Sequence, residues 1–115
     1  MKNILLITGM LFLVNISFGR DFIYELEKSI ERAQKGSKVE YTLHMAGGVE
    51  KIFTGADFTD GNLVRSGDTP LYFELFKGQG DKKHNIMVNL RTPIYYKLDI
   101  EKVNNVWNYT FHFYY

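Results

Sequence analysis

At Gly36 the apolar pattern of the chain changes from a period near 3.6 residues to one near 2, and the second period persists to the C-terminus. A chain patterned in this way can build one amphipathic helix and then strands, because side chains recur on one face every three to four residues in a helix and every second residue in a strand. Before the change, Phe22, Ile23, Leu26, Ile30 and Ala33 form one stripe, with Glu25, Glu27, Lys28, Glu31 and Arg32 around it. The stripe predicts a helix over 21–34, capped by Asp21 and ended by Gly36.

After the change, Val39, Tyr41, Leu43 and Met45 alternate with Glu40, Thr42 and His44, as a half-buried strand does. Ala46-Gly47-Gly48 predicts a turn and 49–59 a second, less regular strand, with a bulge at Gly55. Asp60-Gly61 predicts a hairpin turn, and Leu63 to Arg65 a short returning strand. Residues 71–76 are apolar on both faces, which suggests a strand covered on both sides. A polar loop over 77–83 leads to a strand over 86–91, with His84 beside the loop. Pro93 interrupts the chain, residues 94–101 alternate cleanly, and Asn104-Asn105 supplies a turn. The last strand sets Trp107, Tyr109, Phe111, Phe113 and Tyr115 on one face and Asn108, Thr110, His112 and Tyr114 on the other.

Short turns between successive strands favour antiparallel pairing, since parallel neighbours need crossovers of about a dozen residues or more. The expected fold is therefore α+β, an N-terminal amphipathic helix packed on an antiparallel β-sheet meander. The alternative is a small β-sandwich or barrel with one helix. No repeat or long linker divides the chain, so 20–115 is expected to be a single small globular domain.

Residues 1–19 have the form of a signal peptide. Lys2 precedes an apolar run, and Ser17 and Gly19 place small residues at −3 and −1 of a cut after Gly19. The run is shorter than the roughly twenty residues that span a bilayer, so the mature chain is not expected to be an integral membrane protein. The expected localisation is secreted or periplasmic. With Lys2 removed, the 14 Lys and Arg fall to 13, against 13 Asp and Glu. A chain without a basic surplus does not suit nucleic acid. It has no cysteine, which excludes thiol catalysis and thiolate metal sites, and leaves the core alone to hold an exported domain together.

Catalytic signatures are absent: there is no Gly-x-Ser-x-Gly elbow, no His-Glu-x-x-His and no phosphate-cradling glycine loop. A calcium loop aligned on Gly61 puts Ala56 and Phe58 where acidic ligands belong. No metal or other cofactor is expected. What remains is a polar strand face. If the first and last strands pair, Glu40, His44 and His112 converge and suit acid–base or metal chemistry; if not, they are the wet sides of two amphipathic strands.

The leading expectation is a small binding or interaction module for a protein, a peptide or a small apolar ligand. Tyr72, Tyr95 and Tyr114, opposite the core stripe, are the candidate surface aromatics. A small hydrolase using Glu40, His44 and His112 is the alternative, and an assembly component acting through an edge strand is a third.

Overall fold

The computed structural model describes residues 18–79 and 82–115. The signal peptide expected over 1–19 falls almost wholly outside them. The fold is α+β: the described residues make a helix, α1 (Phe18–Gln34), and seven strands in two sheets that are not closed into a barrel. Strands β1 (Lys38–His44), β2 (Glu50–Thr54), β6 (Tyr95–Val103) and β7 (Val106–Tyr114) form one sheet in the order β2-β1-β7-β6. Strands β3 (Asp60–Ser66), β4 (Thr69–Gln79) and β5 (Lys82–Asn89) form the other, in the order β3-β4-β5.

The helix starts earlier than its stripe predicts, so Asp21 lies within it rather than at its cap. Its C-terminal end is built as expected. Gly36 takes φ 102°, its N–H donates to the Ala33 carbonyl, and the Ser37 N–H donates to that of Arg32. This paired arrangement satisfies carbonyls that a helix end leaves open. Phe22, Leu26 and Ile30 are buried. Beside them Ser29, also buried, donates to the Leu26 carbonyl and shares a 2.6 Å hydrogen bond with the Tyr41 hydroxyl. Burial pushes the Tyr41 phenol far above its ordinary value.

A single continuous meander is not what forms. β1 and β7 run parallel, with Tyr41 level with Phe111 and Leu43 level with Phe113. The crossover that parallel strands require is present, but it is made of β2, the whole second sheet and β6 rather than a loop. The departure occurs at Gly55. Instead of a bulge, Gly55–Asp57 make a 3₁₀ turn that carries the chain from the first sheet to the second. Asp60-Gly61 accordingly begins β3 and is not a hairpin turn. The tight β3–β4 turn falls at Gly67, with φ 61°. The loop expected over 77–83 is mostly strand, since β4 runs to Gln79 and β5 begins at Lys82.

Both sheets turn their apolar faces to one core, where Phe73 and Leu75 of β4 and Val88 of β5 join Val39, Tyr41, Phe111, Phe113 and the helix stripe. Tyr41 and Phe73 meet across the two sheets, ring centroids 5.7 Å apart. Trp107 is an exception to the C-terminal stripe. It is 47% exposed, because the β6–β7 hairpin runs past the end of the core, and Lys102 lies over its ring.

Candidate functional site

The outer face of the four-stranded sheet carries the polar residues. In one row across it stand Glu50, His44, Tyr114 and Tyr95, from β2, β1, β7 and β6. In the next stand Ile52, Thr42, His112 and Lys97. Parallel pairing of β1 with β7 therefore brings His44 and His112 onto adjacent strands, one row apart.

The two rings touch, with His44 Nε2 2.8 Å from His112 Nδ1. On the far sides, His44 Nδ1 is 3.0 Å from a Glu50 carboxylate oxygen and His112 Nε2 is 3.1 Å from one of Asp99. The result is a linear chain, Glu50–His44–His112–Asp99, with half-buried rings and more exposed carboxylates at its ends. Stacking holds it flat. The His44 ring lies 4.2 Å from Tyr114 at an interplanar angle of 2°, and Tyr114 lies 4.3 Å from Tyr95 at 11°. Asp99 also draws Lys97, at 3.8 Å.

Glu40 shares the strand face with His44 but sits four residues along β1, roughly 13 Å at strand rise. The carboxylates at the rings are instead Glu50, directly across the β1–β2 hairpin, and Asp99, diagonal to His112. Tyr95 and Tyr114 are neighbours, whereas Tyr72 is half-buried on the outer face of the other sheet and belongs to a different surface. The side chain of His84 lies outside the described residues.

All four ring nitrogens already have partners, so the arrangement leaves none to face a substrate or a metal. Among the described residues no three His, Asp or Glu side chains gather as a metal site would require. No family model, curated protein or solved structure matches the chain.

Burial, ahead of the charges of His44 and Lys97, holds the His112 imidazole below its ordinary value of 6.5, although Asp99 opposes the shift. The folded protein thus refuses a proton that the unfolded chain accepts. The stability this carries is fully present above about pH 6.5 and is lost as pH falls through and below it. Urea midpoints are expected to drop between pH 7.5 and pH 5, and to drop less in His112→Gln. The same loss in both proteins would show that His112 is not the cause.

A second surface lies at the free edge of β6. Among the described residues no strand pairs with that edge. The β6–β7 hairpin and its approach carry exposed Ile94, Tyr95, Ile100, Val103, Val106 and Trp107, with Ile94 79% and Tyr95 54% accessible. Lys97, Asp99, Glu101 and Lys102 are interspersed along the strand. Among the described residues no helix is long and apolar enough to cross a membrane.

Proposed function

We propose that this chain is a non-catalytic binding module acting outside the cytoplasm, and that it takes an extended protein or peptide segment along the free edge of β6. The observation that carries this reading is the concentration of exposed large apolar side chains on that one hairpin. An unpaired strand edge offers a row of backbone donors and acceptors, and an added strand gains affinity from them and specificity from flanking side-chain contacts. Tyr95 on the outer face and Ile100 and Trp107 on the inner face would supply those contacts. The charges of both signs along β6 work against indiscriminate pairing. Export rests on the sequence of residues 1–19. The hydrolase alternative draws no support from rings whose nitrogens are all engaged.

The test is selection of extended peptides on the purified chain, followed by mapping with amide exchange. Bound peptides are expected to protect β6 amides, and Ile100→Lys with Tyr95→Lys is expected to weaken binding at least tenfold, or about 1.4 kcal/mol. Association of the chain with itself that the same substitutions abolish would make the partner a second copy. Peptides that protect only β3–β5, or that bind the double variant equally well, would overturn the reading.

A further inference from the structure

The chain Glu50–His44–His112–Asp99 can be counted in protons. A carboxylate only accepts, so His112 Nε2 carries the hydrogen of its bond to Asp99, and His44 Nδ1, in ion-pair contact at 3.0 Å from a Glu50 oxygen, must carry one if its lone pair is not to face that carboxylate. The inner contact, at 2.8 Å between His44 Nε2 and His112 Nδ1, needs one more hydrogen. That makes three N–H groups on two rings, and two neutral imidazoles have only two. Without the third, either two lone pairs face each other across the inner contact or one faces a carboxylate.

We propose that the His44–His112 pair is a binding site for one proton, held between the rings and clamped by Glu50 and Asp99, and that a second proton opens the β1–β7 seam. This goes beyond the edge-binding reading and stands whether or not β6 binds anything. The shared hydrogen rests on His44 Nε2 and is accepted by His112 Nδ1, which agrees with burial disfavouring the charged form of the His112 ring. The groups that face the pair are Glu50 from β2, Tyr114 from β7, and Tyr95, Lys97 and Asp99 from β6; Glu40 lies farther down β1. Two carboxylates against one shared charge and Lys97 leave the cluster balanced. In the doubly protonated pair neither inner nitrogen can accept, and two like charges sit in contact, so the inner bond breaks. The rings then separate at the seam that joins the first hairpin of the sheet to the last. Tyr114, stacked on His44, loses its support, and so does the stack to Tyr95 beside the β6 edge.

Nitrogen and proton NMR of the two imidazoles between pH 4 and 9 is the test. Two steps separated by more than about one pH unit are expected, with signals of both rings moving in each step, because coupled sites titrate as a pair. The Tyr95 ring signals are expected to follow the lower step. Glu50→Gln and Asp99→Asn change half-exposed groups outside the apolar core, and each is expected to move the upper step to lower pH. His44→Gln is expected to leave His112 with one step, and if that variant does not fold, the two carboxylate variants carry the test. Independent single steps near the ordinary histidine value of about 6.5 for both rings would overturn the proposal. An upper step unmoved by both carboxylate substitutions would do so too.

Discussion

Replacing Phe111 by alanine is expected to destabilise the protein by about 3–5 kcal/mol, enough to unfold a domain of ordinary stability or nearly so. Phe111 is fully buried in β7, a central strand, and its ring meets Phe22 of the helix edge-on at 5.5 Å and stacks on Tyr41 at 5.6 Å. Truncation would leave a cavity walled by three elements that cannot all move in to fill it. His112, the next residue, points to the other face. Its loss removes hydrogen bonds to His44 and Asp99, a cost of about 1–2 kcal/mol for groups that water can partly satisfy. Urea midpoints for Phe111→Ala and His112→Ala should therefore differ severalfold in their displacement from wild type. Equal displacements would mean that the two faces of β7 have been assigned the wrong way round.

Much of this architecture is written locally. The change of period at Gly36 separates the helix from the strands, and Asn104-Asn105 adopts the positive φ values, 52° and 64°, that a two-residue hairpin turn needs. The alternation from Tyr109 to Phe113 marks the buried side of β7. Local pattern is silent where a residue serves a distant neighbour. Asp60-Gly61 has the composition of a hairpin turn, yet its glycine is required by what packs on it. Gly55 looks like a bulge, but a Cβ there would stand 2.9 Å from Val39 Cβ and 3.2 Å from Ala33 Cβ. Close approach of the helix to two strands leaves no local signal. Nor does the decision to pass from one sheet to the other.

The candidate site divides along the same line. Once the Asn104-Asn105 turn sets the hairpin register, Lys97 falls opposite His112 and Asp99 one diagonal away, so the Asp99–His112 bond follows from local turn chemistry. The Ala46-Gly47-Gly48 turn likewise brings Glu50 opposite His44. Alternation alone points to Glu40 as the carboxylate, because it shares a strand with His44. Alternation fixes which face a side chain takes, but not how far along the strand its partner sits. The contact between His44 and His112, 68 residues apart, depends on the parallel β1–β7 seam, and short turns argue against such a seam. The nonlocal pairing is what joins two separate carboxylate–imidazole contacts into one chain.

Substituting alanine for Gly61 is expected to lower stability by about 1–3 kcal/mol, although the change adds one methyl group to a strand and lets the residue keep its backbone conformation. Its Cβ would stand 2.7 Å from Ile30 Cγ1 on the helix and 2.9 Å from Phe73 Cζ on β4. Neither atom is the free end of a flexible chain. Ile30 is held on the helix stripe, and Phe73 is fully buried in the middle of its sheet. One of the two layers must shift, and both are packed against β1. Gly67→Ala provides the comparison. It costs about 1–2 kcal/mol for a different reason, since φ is 61° there but nothing lies within 4 Å of the added carbon. Removing Ile30 Cγ1 should therefore relieve the first variant and leave the second unchanged. Ile30→Ala alone opens a cavity and costs about 2–5 kcal/mol, but in the Gly61→Ala background the new methyl occupies part of that space. A double-mutant cycle is expected to give a coupling of at least about 0.5 kcal/mol between positions 30 and 61, and none between 30 and 67. Additive costs at 30 and 61 would show that the helix does not need Gly61 in order to approach β3.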